Sequence, residues 1–591
     1  MPHAKHGARH HSPQCPAAYP LSKVRAGLRG TGWTTVKGVH PRPFAVRVLG
    51  RLHDGIAPGI DMIVIKTQSR TIKSHGTWEG MSGSPIYASD GRLIGALSYG
   101  LSFGATNKAG VTPAAAMYQL LSDRNRSSSK AYAKRVMVPR SMDAPASRSG
   151  SSSSRSGELQ LLPTPITVTG LPSSHWSDLR ERLRSAGATP FSLHSGSAKG
   201  VSRHGSAKNI KPGAPFGVTI AYGDYTVGGV GTVTAVCGHK VLAFGHPMNL
   251  TGATTETANA AQVLYVQRDP TGPSFVMANI GHSVGTLDQD RLPGIRATIG
   301  PRPPATRITT HVIAPGTGLH RTGVSHTSLV DEVADAAGGS TYYNLLTTTQ
   351  HEGEGSSSYS WSARGRLDDG KRWKFHRTDL YTDPFDVEFG TSWQIFTALA
   401  TIVGNPFDGL SVSQVKVHAT ATETVREWDL RDLDVQQDGT WQSVTPATTI
   451  DVSPGDTLQL RATLQAYRNS HQTKKVDVAV HIPAAAGAGT GSIQVAGGGD
   501  LEQLGADTST VTSFADLLKV LKATPHGNDL VAQLVVPDPT GVTTITKNHH
   551  DRLTRVTRGT LTLQLNVLGP VCSDCDGGDG GDGGDGPPIA D

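Results

Sequence analysis

The string Gly-Met-Ser-Gly-Ser-Pro, residues 80–85, contains the residue types from which a nucleophilic serine can be built. Such a serine needs a sharp turn that exposes its oxygen, small neighbours whose backbone N–H groups can stabilise an oxyanion, and a histidine that accepts its proton. Ser82 and the glycines beside it supply the turn and the N–H groups. The same residue types also build ordinary turns, so the string alone leaves a catalytic serine and a hairpin turn both open. We call residues 80–85 the serine loop.

A candidate base for this serine lies in the string Val-Leu-Ala-Phe-Gly-His-Pro-Met, where His246 ends an apolar, strand-like run. Pro247 cannot continue the strand, which places the imidazole at the edge of a loop. A single histidine in such a place is usually structural, but next to a serine loop it is better explained as a general base. His75, shortly before Ser82, is a rival base, although its short loop favours a role in the wall of the site.

The elements that must position these residues are predicted to be mostly short strands. The chain has 591 residues, of which 69 are glycine and 37% are hydrophobic, a composition typical of several mainly β domains with tight turns. Strict alternation of apolar residues in "TLQLRATLQA" and "VDVAVHI" indicates a β-sandwich near the C-terminus. Four helices are expected: one capped by Thr112 with Pro113 in its first turn, and others near 176–183, 393–403 and 514–522.

Charge and cysteine usage exclude some classes of function. The net charge of +7 is concentrated in residues 124–155, among Ser, Pro and Gly and without the aromatic residues that stack on bases, so no nucleic-acid partner is expected. Cys15, Cys237, Cys572 and Cys575 are too few for a disulfide scaffold, and a single Cys-x-x-Cys pair lacks the second pair of a structural zinc site. We therefore expect no metal and no cofactor.

Targeting and membrane segments are not visible in the sequence. No apolar run approaches the roughly 18 residues that a membrane-spanning helix requires. The first 20 residues contain no hydrophobic stretch of the signal-peptide type.

The strings around Ser82 and His246 together resemble the SpoIVB-type serine peptidases. The resemblance rests on "GTWEGMSGSPIYASDGRLIGALSYG" and "GVGTVTAVCGHKVLAFGH", with weaker support from "KVRAGLRGTGWTTVKG", and it covers roughly residues 15–300. It implies a chymotrypsin-like double β-barrel in which Ser82 is the nucleophile and His246 is the base. It also implies that the backbone N–H groups of Gly80 and Ser82 form the oxyanion hole. Here serine precedes histidine, an order that a permuted chain can accommodate because the catalytic geometry is defined in space.

The third catalytic residue is less well defined, because no carboxylate lies just upstream of the serine loop before Glu79. Asp290 follows His246 within the same expected lobe, so we favour it as the acid. Asp61 and Asp224 are better explained as loop or turn residues. A Ser-His dyad without an acid remains an alternative.

The expected function is that of a serine endopeptidase that cleaves protein or peptide substrates through Ser82, His246 and Asp290. Its chain would comprise a disordered N-terminus (1–20), a first barrel lobe with Ser82 (21–122), a basic Ser-rich linker (123–158), a second barrel lobe with His246 (159–305), an immunoglobulin-like β-sandwich region (306–490), a C-terminal α+β segment (491–570) and a flexible Asp/Gly tail (571–591).

Two alternatives stay open. The chain could be a catalytically inactive binding or scaffold protein of the envelope that works through its β-sandwich, or a peptidase that cleaves only its own linker at Lys134-Arg135. The resemblance implies a secreted or envelope-associated bacterial protein with a possible envelope partner, whereas the sequence shows no signal peptide. It leaves the oligomeric state undefined.

Overall fold

The computed structural model divides into two compact units. Unit 1 comprises residues 1–351, 360–376 and 391–420, and unit 2 comprises residues 352–359, 377–390 and 421–591. The chain is mainly β, as the sequence predicts. The structure describes residues 15–101, 107–122, 135–137, 158–162, 164–169, 191–195, 206–269, 273–445, 447–503, 511–538, 543–549 and 552–569. The helix predicted near 176–183, the Lys134-Arg135 bond, the Cys572/Cys575 pair and the Asp/Gly tail lie at least partly outside these residues.

Unit 1 begins with a sheet that contains a closed barrel of six antiparallel strands. The strands of this sheet are β1 (Arg29–Thr34), β2 (Arg42–Ala57), β3 (Ile60–Gln68), β4 (Pro85–Ala88), β5 (Leu93–Leu101), β6 (Lys108–Pro113), β7 (Arg135–Met137) and β8 (Glu158–Leu161). Pairing runs β4-β1-β2-β3-β6-β5, and the ring closes where β5 pairs with β4. β8 pairs with β5, and β7 pairs with β8. Alternate residues of β2, Phe44, Val46 and Val48, are buried in the core, which is the pattern that a strand with one buried face requires.

In the described part of the chain, the second sheet has thirteen strands. They are β9 (Thr164–Thr169), β10 (Phe191–Ser195), β11 (Pro215–Gly223), β12 (Thr226–Cys237), β13 (Lys240–Ala243), β14 (Gly252–Gln267), β15 (Phe275–Arg291), β16 (Gly294–Ile299), β17 (Thr306–Ala314), β18 (Leu319–Thr327), β19 (Gly355–Leu367), β20 (Arg372–Asp383) and β21 (Leu410–Thr422). The order is β10-β9-β12-β13-β16-β15-β14-β11-β18-β17-β21-β19-β20, and an added β11–β12 pairing links six of these strands in a ring. β12 and β13, which precede His246, belong to that ring.

Helices interrupt these strands at four places in the first 420 residues that the structure describes. They are α1 (Arg70–His75), α2 (Ala114–Tyr118), α3 (Val333–Thr349) and α4 (Val387–Val403). The helix expected after Thr112 is present as α2, but the cap is not the one expected. Pro113 is the N-cap residue, and the Thr112 hydroxyl instead donates to the Gly245 carbonyl, 2.6 Å away.

Unit 2 contains two sheets that share one apolar core, which is the arrangement of a β-sandwich. One sheet has the order β23-β22-β25-β26 with β30 beside β22, and the other has the order β24-β31-β27-β28-β29. Leu460 and Val478 from the first sheet lie in the same buried cluster as Ile493 and Leu563 from the second. The strands are β22 (Glu427–Gln437), β23 (Thr440–Ser443), β24 (Thr449–Val452), β25 (Thr457–Ala466), β26 (Asn469–His481), β27 (Gly489–Gly497), β28 (Leu530–Pro537), β29 (Thr543–His549), β30 (Val556–Arg558) and β31 (Thr560–Val567).

One sheet and one core each continue across a position at which the sequence predicts a domain boundary. Strands β17 to β21 extend the thirteen-stranded sheet, whereas the sandwich includes strands that the sequence assigned to a separate segment at 491–570. Two further helices lie in this region, α5 (Gly498–Gln503) and α6 (Phe514–Ala523). None of the described helices combines the length and the apolar composition needed to cross a membrane.

Candidate active site

The serine loop is a tight turn between Trp78 and β4. Gly80 and Gly83 have φ values of 89° and 96°, a left-handed conformation that glycine adopts at little cost. The turn is fixed from within, because the Ser84 N–H and hydroxyl both donate to the Met81 carbonyl, at 3.1 and 2.7 Å. Ser84 therefore has a structural role in the turn.

Strand β12 of the second sheet fixes the serine loop from outside. Thr232 donates from its N–H to the Ser82 carbonyl (2.8 Å) and from its hydroxyl to the Gly80 carbonyl (3.0 Å). The Thr234 hydroxyl donates to the Gly83 carbonyl at 2.7 Å. The loop that carries Ser82 is thus held by a strand from the part of the chain that carries His246.

Two backbone N–H groups of this loop remain without an acceptor among the described residues, those of Gly80 and Ser82. The amides around them are all used: the Met81 N–H donates to the Trp78 carbonyl (3.1 Å), and the Gly83 N–H donates to the Leu97 carbonyl (2.7 Å). Both residues are buried. Because buried N–H groups without partners are costly, two of them separated by a single residue indicate a place prepared for a negatively charged oxygen.

His246 lies in the loop that follows β13. This histidine loop, residues 244–252, begins with Phe244 and Gly245 at φ values of 67° and 70°. A left-handed Phe is unusual, and such a conformation persists only where the surrounding structure imposes it. Here the Phe244 N–H donates to the Thr232 carbonyl (3.2 Å), and the Phe244 side chain is fully buried.

The serine loop and the histidine loop meet at Thr232, which hydrogen-bonds to both. They are also in direct contact, since a Cβ atom on Gly83 would lie 2.5 Å from the Phe244 nitrogen. A Cβ atom on Gly245 would lie 3.2 Å from Ser98 Cβ on β5. The structure therefore brings the two predicted catalytic segments together, although they are far apart in the sequence.

The imidazole of His246 is in the tautomer that a general base requires. Its Nδ1 lies 2.7 Å from the Pro247 carbonyl oxygen, which can only accept, so Nδ1 carries the proton and Nε2 is left with its lone pair. Burial lowers the pKa of His246 to about 4, which keeps the ring neutral at neutral pH. Nε2 has no hydrogen-bond partner.

Ser82 and His246 are not hydrogen-bonded to each other in this structure. Ser82 Oγ, like His246 Nε2, is buried and has no hydrogen-bond partner among the residues that the structure describes, and the two residues are 0% and 1% exposed. A substrate therefore cannot reach them without a local rearrangement. Catalytic hydrogen bonds often shorten only when substrate is bound, so the missing bond leaves the predicted pairing open.

Asp290, the expected acid, lies beside the histidine loop and acts on its backbone. Its carboxylate accepts from the N–H groups of Met248 (2.8 Å), Asn249 (2.6 Å) and Thr251 (3.5 Å). The carboxyl is fully buried, and burial raises its pKa. His246 Nδ1 is bonded to Pro247 and not to Asp290, so Asp290 is one step away from the imidazole and holds the loop that carries it.

A second buried carboxyl, that of Glu256 on β14, lies near Asp290. Burial, and secondarily the charges of Asp290 and Glu332, raise the pKa of Glu256 to about 8. Its carboxyl interacts with the side chains of Thr254 and Asn249. Within the described residues, no group of three or more His, Cys, Asp or Glu side chains is arranged to hold a metal ion.

The other residues considered in the sequence lie in structural contacts. Asp61 accepts from the Asp54 N–H (3.0 Å), and Asp224 accepts from the Val324 N–H (3.1 Å). His75 ends helix α1, and its carbonyl accepts from the Ser274 hydroxyl (2.9 Å).

Sequence reasoning missed two contributors to this region. Thr232 was only part of a strand-like string, and nothing in its type or spacing marked it as the residue that joins the two loops. Cys15 and Cys237 form a disulfide across 222 residues, with a Cα–Cα distance of 4.4 Å. Two widely separated cysteines give no pairing signal from spacing alone.

Comparisons with known proteins do not identify a family. No family model matches the chain, and no curated protein matches it either. A solved structure described as a Ca²⁺-stabilized adhesin that helps an Antarctic bacterium reach out and bind ice aligns over 84% of this chain and 94% of its own chain. The identity is 10% and the TM-score is 0.07, so this likeness carries no argument about fold or function.

Proposed function

We propose that this protein is a serine endopeptidase with Ser82 as nucleophile and His246 as general base. The observation that carries the proposal is the pair of buried, acceptor-free N–H groups of Gly80 and Ser82 beside a buried, partnerless serine hydroxyl. A passive turn would be expected to satisfy these groups, because each buried polar group without a partner costs about 1–3 kcal/mol. A chymotrypsin-like double barrel is the fold that we propose around this site.

The arrangement supports acyl transfer in two steps. Ser82 Oγ attacks the carbonyl carbon of a peptide bond, and its proton passes to His246 Nε2. The oxyanion accepts hydrogen bonds from the N–H groups of Gly80 and Ser82, and the imidazolium then gives its proton to the leaving amine. Water releases the acyl group from Ser82, with His246 again accepting a proton. Asp290 is proposed as a positioning residue for this cycle, because it holds the histidine loop by its backbone.

A location outside the cytoplasm is part of the proposal. The Cys15–Cys237 disulfide supports it, because structural disulfides persist in oxidising compartments and are rare in the cytosol.

Covalent labelling with a fluorophosphonate tests the proposal. Wild-type protein should acquire one label during overnight incubation, and mass spectrometry should locate it on Ser82. Ser82→Ala should abolish the label, and His246→Ala should lower the labelling rate at least a hundredfold, because the hydroxyl loses its base.

Ser84→Ala is the matched control for this experiment. Ser84 is a buried serine of the same loop, and its backbone N–H bond to the Met81 carbonyl (3.1 Å) survives loss of the hydroxyl, so the label should persist in this variant. Protein that is folded by circular dichroism but carries no label on Ser82 would contradict the proposal. Function would then be sought in the β-sandwich of unit 2, as in a catalytically inactive binding protein.

A further inference from the structure

One edge of strand β5 carries the serine loop and then, without interruption, a second segment of the same chain. Along this edge Pro85 pairs with Ala96, and the Gly83 N–H donates to the Leu97 carbonyl. The next carbonyl, that of Ser98, accepts from the Leu162 N–H at 3.0 Å. Residues 158–162, which we call the strap, then pair antiparallel with β5 from Tyr99 to Leu101.

The strap runs toward the serine loop. Its residues Leu159, Gln160 and Leu161 pair with Leu101, Gly100 and Tyr99 in that order, so its C-terminal end at Leu162 is the part next to the serine loop. An extended peptide added to a free strand edge in this way forms the main-chain hydrogen bonds by which many proteins bind peptides. Leu162 is therefore the residue of the strap that lies next to the serine loop along β5.

Thr164 and Pro165 also lie close to the serine and histidine loops. A Cβ atom on Gly80 would lie 3.4 Å from Pro165 Cγ, so Pro165 lies beside the acceptor-free N–H of Gly80. A Cβ atom on Gly229 would lie 2.6 Å from Thr164 Cγ2 and 3.4 Å from Met248 Cε, which places Thr164 beside the histidine loop. Leu162 at the serine-loop edge, and Thr164 and Pro165 beside the two loops, thus lie in the region where Ser82 and His246 are buried.

The side chain of Leu162 fills an apolar pocket next to the serine loop. Leu162 is 2% exposed and belongs to the buried cluster that contains Trp78 and Met81. Gly100 forms a wall that must lack a side chain, because a Cβ atom there would lie 2.7 Å from Leu162 Cδ2 and 2.9 Å from the Thr77 hydroxyl. The pocket therefore selects an aliphatic side chain of about the size of leucine.

We propose that the strap occupies the binding groove for an extended peptide substrate and closes the site from within. The substrates are then peptides with leucine or a similar aliphatic residue immediately before the cleaved bond, in the position that Leu162 holds. This inference rests on the proposed peptidase function and adds its substrate class and its regulation.

Weakening the strap tests the closure. Leu162→Ala removes the side chain that anchors it, so the initial rate of fluorophosphonate labelling at Ser82 should rise at least tenfold over wild type. Leu120→Ala is the control, since Leu120 is a buried leucine of unit 1 in a different apolar cluster, and its labelling rate should stay within twofold of wild type. A synthetic peptide with the sequence of residues 158–162 should slow labelling of Leu162→Ala.

Peptide amides test the substrate class. The Leu162→Ala variant should cleave a coumarin amide of Ala-Ala-Leu at least tenfold faster than the corresponding amide of Ala-Ala-Lys. Adding Gly100→Val should remove the preference for leucine, because its side chain fills the pocket that Leu162 occupies.

The outcomes separate the two proposals. If Ser82 is labelled no faster in folded Leu162→Ala than in the Leu120→Ala control, the proposal that the strap closes the site is wrong. Equal cleavage of the leucine and lysine amides overturns the assigned substrate class. Absence of label on Ser82 in every variant overturns the peptidase proposal and the strap with it.

Discussion

At the scale of single residues, buried carboxyls stabilise the geometry of the histidine loop. Asp290 accepts backbone N–H groups on both of its oxygens and so fixes the chain just after His246. Glu256 instead interacts with side chains, the Thr254 hydroxyl at 3.4 Å from its Oε1 atom and the side chain of Asn249. Two carboxyls close together in a buried site do not both ionise readily, so the proton resides on Glu256 at neutral pH.

Glu256 should make the stability of unit 1 depend on pH. Its pKa is raised to about 8 in the fold against 4.5 for the ordinary group, so the folded state binds more protons than the unfolded state between these values. Its contribution to stability is therefore full below about pH 4.5 and is lost as the pH rises through 8. Glu256→Gln stays neutral, so its melting temperature should exceed that of wild type by several degrees at pH 8 and by much less at pH 5, in thermal scans followed by circular dichroism.

Two observations control this prediction. Glu354→Gln changes an exposed glutamate of unit 2 and should leave the pH profile as in wild type. Burial also raises the pKa of Glu332 to about 7. The melting temperature of Glu256→Gln should therefore still fall as the pH rises, but less steeply than that of wild type. If the melting temperatures of Glu256→Gln and wild type differ by the same amount at pH 5 and at pH 8, Glu256 is not protonated in the folded state.

At the scale of elements, the contact between the serine loop and strand β12 depends on the absence of a side chain at Gly83. A Cβ atom there would lie 2.0 Å from the Thr232 carbonyl oxygen, closer than any real contact, in a backbone conformation with φ of 96°. The alanine variant must therefore separate the serine loop from the strand that also holds Phe244.

Gly83→Ala should lower the free energy of unfolding by several kcal/mol and abolish labelling of Ser82. Gly91→Ala is the matched control, since Gly91 has φ of 81° but no atom within 4 Å of its added Cβ. It should cost only the ~1–2 kcal/mol of a left-handed alanine and leave labelling intact. Urea denaturation and the fluorophosphonate assay measure both effects, and equal losses in the two variants would mean that the contact with β12 is unimportant.

Some elements could be predicted from the sequence because their apolar pattern is local. Strands β25 and β26 show apolar residues at alternate positions, and helix α6 shows an apolar stripe at helical spacing. Both patterns can be read from consecutive residues of the sequence. Helix α3 was missed because its buried face consists largely of small residues, among them Ala336, Gly338 and Thr341, which give no apolar stripe. The prediction that Thr112 caps a helix was wrong, because its hydroxyl donates to the Gly245 carbonyl, which is distant in the sequence.

The same distinction applies to the candidate site. Ser82, His246 and Asp290 could be selected because each lies in a recognisable local string. Their mutual arrangement could not, since it depends on pairings such as that of Thr232 with Ser82 and Phe244. The strap is an example. The apolar run "LQLL" predicts a strand, but it does not indicate with which other strand it pairs. It pairs with β5 of the first barrel, although the sequence assigned residues 159–162 to the second lobe.

At the scale of unit 1, a covalent bond joins the segment before the first barrel to the hairpin that leads to His246. Cys15 begins a segment that pairs with β5, where the Tyr19 N–H donates to the Leu93 carbonyl (2.7 Å). Cys237 ends β12, the strand that holds both loops of the site. The disulfide between them therefore restrains the two strand systems that must stay together for Ser82 and His246 to meet.

Reduction of this disulfide should lower both stability and labelling. Closing a loop of 222 residues restricts the unfolded chain by about 5 kcal/mol in the chain-entropy account. Wild-type protein in a thiol reductant should therefore melt several degrees lower, and Ser82 should be labelled more slowly because the loops separate more often. Cys572→Ser/Cys575→Ser is the control, since it keeps the Cys15–Cys237 bond and should respond to reductant as wild type does. If peptide mapping finds Cys15 and Cys237 reduced while the melting temperature is unchanged, the bond does not hold the unit together. The association of the two strand systems would then rest on the contacts of Thr232 and Thr234 with the serine loop alone.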